Sequence, residues 1–209
     1  FTLEASLVAL TSALTQLEVQ GATLCFPCVS AYLALRLARA RPDLVARLLL
    51  AQAPDYAGAL AWKQRRDPRD VLARPVLGQL AMRAMATRRL PAWFGLVVGQ
   101  PELLPVFTEV AARRLKDGAR WPLASAFQHF LIEAPAPSPV EQPVIALWGE
   151  RDRSHRDTDR ASSQKLGHSV ELVRWRDVGH FPELEAPERF VELLLTGPWP
   201  SVDQSGSRP

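Results

Sequence analysis

The feature that most constrains the fold is an apolar run with no polar face. Residues 46–53, ARLLLAQA, stand between Pro42 and Pro54, as a strand buried on both sides requires. Such strands belong to parallel sheets covered by helices. A shorter apolar run, residues 22–26 (ATLCF), precedes it, and Ala31 to Ala40 (AYLALRLARA) reads as a helix ended before Pro42. Strand, helix and strand in that order predict a right-handed βαβ unit.

The alternation extends in both directions. Leu3, Leu7, Leu10, Leu14 and Leu17 recur at spacings of three and four, which predicts an amphipathic helix over residues 3–19 with Gly21 placed to stop it. From Asp55 to about Pro139 the pattern changes to helical pieces broken by Pro68, Pro75, Pro91, Pro101, Pro105 and Pro122. A strand follows at PVIALW (143–148), then a helix near 157–166, a strand from Val170 to Trp175 and a last helix over about 187–196 that opens on Pro187. The expected organisation is a core of residues 1–54 and 140–197, a helical insert of residues 55–139, and a disordered tail, residues 198–209 (PWPSVDQSGSRP).

Composition narrows the function classes. At 209 residues, with 47% hydrophobic and 22% charged, the chain suits one packed globular domain. The net charge of +3 comes from arginines scattered among acids, not clustered with aromatics, so nucleic acid is not expected as a partner. No stretch reaches the 18 or so apolar residues of a membrane helix, and the N-terminal residues lack the basic flank and cleavage site of a signal peptide. A soluble, cytoplasmic protein with no membrane partner is the expectation.

Cys25 and Cys28 are too few for a disulfide framework. Their spacing fits C-x-x-C at a strand-to-helix junction, as in dithiol redox sites, but Cys25 sits inside the apolar run, where a small buried hydrophobe is expected. One C-x-x-C has no second ligand pair, so no metal site is expected.

Three segments together resemble the α/β-hydrolase superfamily: LCFPCVSAYLALRLARARPDLVARLLLAQAP, PVIALWGERD and GHFPELEAPERF. They stand in that superfamily's order of nucleophile, acid and histidine, and the match covers the chain apart from the insert and the tail. The resemblance implies an α/β fold, a mostly parallel sheet flanked by helices, with residues 55–139 as a helical cap over the active site. It implies Cys28 as nucleophile, where the family usually has serine, Asp152 as acid and His180 as base. The backbone N–H of Val29 would be one oxyanion-hole donor. Dienelactone hydrolases and some thioesterases are similar in using cysteine.

The chemistry of these residue types agrees with that assignment. A thiol needs a base within reach to become a thiolate, and the carboxylate behind the base fixes the imidazole tautomer and balances its charge. A position at the start of a helix favours the anionic thiolate. Asp157 and Asp159 read as helix-start carboxylates, and His129, His155 and His168 as polar surface or substrate rim.

The sequence departs from the family pattern twice. G-x-S-x-G becomes Phe26-Pro27-Cys28-Val29-Ser30, and the bulk of Phe26 implies either a relaxed turn or a phenyl ring pointed into the site. Relative to the family, the chain also starts at the helix before the fifth strand. The expected four-stranded sheet would leave an apolar edge beside the nucleophile strand, to be covered by a preceding segment or a second chain.

Most of the aromatics Trp62, Trp93, Phe94, Phe107, Trp121, Phe127 and Phe130 should pack the insert's own core. Trp93, Trp121, Phe26 and Phe181 are the candidates for contact with substrate. The expected reaction is cleavage of a small-molecule ester, lactone or thioester through an acyl-cysteine intermediate, with no cofactor. A hydrolase-like protein that only binds a ligand or partner, and acyl transfer, cyclase or lyase chemistry on the same fold, stay open alternatives.

Overall fold

A computed structural model describes residues 2–119, 122–131 and 137–201. Trp121 and most of the expected disordered tail, residues 202–209, lie outside the described residues. Four parallel strands form one sheet in the order β1 (Ala22–Pro27), β2 (Val45–Ala51), β3 (Val144–Gly149), β4 (Val170–Trp175). The helices are α1 (Leu3–Gln16), α2 (Ala31–Ala40), α3 (Tyr56–Arg66), α4 (Leu77–Val97), α5 (Leu104–Lys116), the single turn α6 (Pro182–Glu185) and α7 (Pro187–Thr196).

The unbroken apolar run of β2 is divided between two cores, because successive side chains leave a strand on opposite faces. Leu48 and Leu50 pack with Tyr32, Leu35 and Leu37 of α2, and α1 lays Leu7, Leu10 and Leu14 against the same cluster. Leu49 and Ala51 turn the other way, to Ile145 and Leu147 of β3, Trp175 and Leu193 of α7. Central β3 is buried along its whole length. On the described residues β1 is paired only with β2, so one of its edges carries no ladder.

Several elements differ from expectation. Helix α1 stops at Gln16: Leu17 is 72% exposed and off the buried stripe, Glu18 takes φ 53°, and Gly21 at φ 62° leads into β1 instead of ending the helix. Pro91 does not break α4, which runs through it. Its ring is exposed, while Leu90, Trp93 and Phe94 anchor that turn in a cluster with Leu103, Leu104 and Phe107 from α5 and the turn before it. Packing outweighs the lost backbone donor there.

The helix expected near 157–166 is instead a 3₁₀ segment, Arg160–Leu166, preceded by a short 3₁₀ turn at Arg153–His155. The Ser162 hydroxyl donates to the Asp159 carbonyl (2.6 Å) and that of Ser163 to the Ala53 carbonyl (2.7 Å). Hydroxyl-to-backbone bonds of this kind compete with regular helix. Among the described residues no helix is long and apolar enough to cross a membrane.

All four strands end at one edge of the sheet. Cys28 follows β1, Gln52 follows β2, Asp152 stands three residues beyond β3, and His180 lies in the loop after β4. The carboxyl ends of parallel strands are where ligands meet open α/β sheets.

Candidate active site

Cys28 sits at φ +51°, in the left-handed region that non-glycine residues avoid at a cost of roughly 1–3 kcal/mol. It opens a 3₁₀ turn, Cys28–Ser30, that runs straight into α2. The Ser30 hydroxyl ties this turn back to the Pro27 carbonyl at 2.5 Å. The turn is therefore sharp and not relaxed as Phe26 had suggested it could be. The Phe26 ring packs beside Leu3, Leu7, Leu10, Leu33 and Phe130, and it borders a hollow with Cys25, Glu183 and Phe190. A small cavity of about 10 Å³ at Cys28 is lined by Val29, Tyr32, Gln52, Trp62 and His155 among others, Phe26 not being one of them.

Asp152 and His180 are 1% and 3% exposed. His180 Nδ1 lies 2.6 Å from Asp152 Oδ2. An ionised carboxylate only accepts, so Nδ1 carries the proton and the Nε2 edge is left for Cys28. Burial opposes a charge on His180, yet the hydrogen bond to Asp152 and the nearby Cys28 thiol prevail and raise its pKa well above the ordinary value. Burial likewise opposes a charge on Asp152, but its bonds from His155 and His180 hold it well below the usual carboxylate range.

The expected placement of His155 on the polar surface is wrong, although the residue does line the cavity beside Cys28. It is 2% exposed and its Nδ1 lies 2.9 Å from the same Asp152 Oδ2. The turn Arg153–His155 brings a residue three positions on from Asp152 back over its carboxylate, whose Oδ1 meanwhile caps the Ser154 N–H at 2.8 Å. The His155 ring stacks on His180 (5.5 Å, 23°) and on Trp62 of α3 (5.6 Å, 9°). His168, by contrast, is exposed beside Glu141, as expected.

Three further supports carried no assigned role in the sequence. Gln52, fully buried and at φ 54°, donates through Nε2 to the carbonyls of Gly149 (3.1 Å) and Gly179 (2.7 Å). It thereby ties the acid turn to the histidine loop. Those two loops meet so closely that a Cβ on Gly149 would strike the Gly179 carbonyl. Glu185 accepts from the N–H groups of Gly99 (2.7 Å), Gly179 (3.0 Å) and Phe181 (3.2 Å), and the His180 N–H donates to the Val97 carbonyl at 2.8 Å. Asp-x-x-His and the acid five residues after His180 were visible as spacings; nothing in the sequence marked Gln52.

Of the aromatic candidates, Trp93 stands edge-on to His180 at 5.5 Å and Phe181 at 4.9 Å. The ligand-capable atoms of Asp152, His155 and His180 lie within 4.8 Å of one another. Both imidazole Nδ1 atoms face the carboxylate, and that of His155 also lies 3.0 Å from the Ser154 hydroxyl.

This arrangement can be set beside known proteins. No family model matches the sequence, and no curated protein does. Among solved structures it is similar to an α/β-hydrolase fold protein from Burkholderia ambifaria, with TM-score 0.59 and 19% identity over 93% of this chain and 72% of that one. The chain has the α/β-hydrolase fold. A probable hydrolytic enzyme from Pseudomonas aeruginosa PAO1 superposes with TM-score 0.68 and 18% identity over 94% and 69% of the two chains. A thermophilic esterase from Thermogutta terrifontis gives TM-score 0.60 and 18% identity over 93% and 71%. Within this fold, Cys28, Asp152 and His180 meet at the carboxyl end of the sheet, with Val29 beside the thiol.

Proposed function

We propose that the protein hydrolyses a small-molecule ester, lactone or thioester through an acyl-cysteine on Cys28. The observation that carries this reading is the strained backbone of Cys28 at the start of α2, beside an imidazole backed by a buried carboxylate. Strain at a turn persists where the surroundings over-determine it, and such positions cluster at active sites. The similarity to a named esterase and a probable hydrolytic enzyme agrees in reaction class.

In the first step the Cys28 thiolate attacks the carbonyl carbon while the Val29 N–H faces the developing oxyanion. His180 then gives its Nε2 proton to the leaving alcohol or thiol, and Asp152 keeps the ring in the tautomer that allows this. Water attacks the acyl-cysteine in the second step and releases the acid. Thioesters, lactones and activated esters are preferred over amides, because a thiolate leaves the tetrahedral intermediate more readily than an amine anion would. Residues 55–139 act as the cap, with Trp93 and Phe181 beside the histidine.

The test is intact-mass spectrometry after brief exposure to short aryl esters and acyl thioesters, with Cys28→Ala as control. An acyl adduct in the parent alone, decaying on chase, is the expected result. Turnover by Cys28→Ala at the parental rate would overturn the assignment, and comparable cleavage of a peptide amide would overturn the preference.

A further inference from the structure

We infer that His155 is a second catalytic base, which activates the water that releases the acyl group from Cys28. This rests on the acyl-cysteine reading above and divides its two steps between two imidazoles.

The geometry separates the two rings. Both point Nδ1 at one oxygen of Asp152, but they do not border the same space. The cavity beside Cys28 is lined by His155 and Gln52, whereas His180 lies against the far side of the His155 ring from Trp62. With Nδ1 held by the carboxylate, Nε2 is the edge that His155 presents to the cavity.

The cavity has the volume of about one water, roughly 10 Å³, and a buried water needs two or more polar partners. Gln52 supplies one: its Oε1 is buried without a protein partner, while its Nε2 is fully used by Gly149 and Gly179. A water that donates one hydrogen to Gln52 Oε1 and the other to His155 Nε2 turns its lone pair toward Cys28.

The charge states suit the division. Burial, the largest influence, keeps the His155 pKa below its ordinary value despite Asp152. The groups facing it are Asp152 on its own turn, His180 across the stack, Arg66 of α3, and Cys28 and Tyr32 across the cavity. Near neutral pH the ring is uncharged and has a free lone pair to receive a water proton. In the step, the water oxygen bonds to the acyl carbon as His155 Nε2 takes a water proton. The tetrahedral intermediate then breaks its C–S bond and releases the carboxylic acid with the water's other hydrogen; the Cys28 sulfur leaves with the electron pair, takes the proton from His155 and passes it to His180, which restores the starting pair.

The experiment follows the acyl adduct formed from a short aryl ester. His155→Asn keeps a donor for Asp152 and removes the base. It is expected to acquire the adduct and to lose it on the order of 100-fold more slowly than the parent. Hydroxylamine, a nucleophile that needs no base, should restore release. A second measurement needs no variant: the parent's decay rate is expected to stay level from neutral pH to pH 9 and to fall only in acid, below the ordinary imidazole range. Parental decay in His155→Asn, or a parental rate that goes on climbing from neutral pH to pH 9, would overturn the role of His155 and leave the acyl-cysteine intact. No adduct on the parent with any ester or thioester would overturn both.

Discussion

His155 and His180 share one carboxylate oxygen: their Nδ1 atoms lie 2.9 Å and 2.6 Å from Asp152 Oδ2 while their rings stack 5.5 Å apart. Two imidazoles on one acceptor cannot be equally charged at such a distance. Burial and hydrogen bonding resolve the pair into one raised and one lowered histidine.

Removing the shared acceptor should therefore be costly to activity. Asp152→Asn is expected to lower kcat/KM on an aryl ester by roughly 10³- to 10⁴-fold, since an amide leaves the His180 tautomer unspecified. The alkaline limit of activity should also move down by at least one pH unit, because the chief group raising His180 is gone. A pH–rate profile of parent and variant checks both.

Stability should vary with pH in a defined sense. The raised His180 stabilises fully below its unfolded value near 6.5, and that contribution is lost as pH rises toward about 10. Asp152, depressed on folding, contributes above its unfolded value near 3.8 and less as pH falls below it. The lowered His155 removes stability as pH falls through 6.5. Melting temperatures from pH 4 to 10 are expected to decline on both sides of neutrality, and Asp152→Asn should flatten the alkaline decline.

Glu185 holds three backbone donors of the histidine loop and its neighbour Gly99. Glu185→Ala leaves buried N–H groups unpaired at about 1–3 kcal/mol each. Chemical denaturation should register a loss of several kcal/mol, with Glu185→Gln recovering part of it.

Gly149→Ala would force the acid turn away from the Gly179 carbonyl. Overpacking of this kind costs about 1–3 kcal/mol. Because the displaced turn carries Asp152, turnover of an aryl ester should fall by more than the melting temperature suggests.

Much of this was legible in advance because each segment's pattern agreed with its environment. The run at 46–53 has no polar face and became a strand between two cores, and Pro187 opened a helix as its fixed φ favours. The three segments around Cys28, Asp152 and His180 came together because parallel strands deliver their following loops to one edge. What stayed hidden depended on contacts distant in sequence. Pro91 read as a helix breaker until the anchoring of its neighbours was known. His155, among arginines and aspartates, had every appearance of a surface residue, and Gln52 gave no sign that its amide would reach two loops about 100 and 130 positions away.

The C-terminal end of α4 is stitched to the histidine loop. Val97 accepts from the His180 N–H, Gly99 donates to Glu185, and Phe94 shares a cluster with Phe181. The helical segment between β2 and β3 is thus not an interchangeable accessory. Grafting a different one to alter substrate choice would remove the floor on which the histidine stands, so an exchange has to carry the loop from Val178 to Ala186 with it.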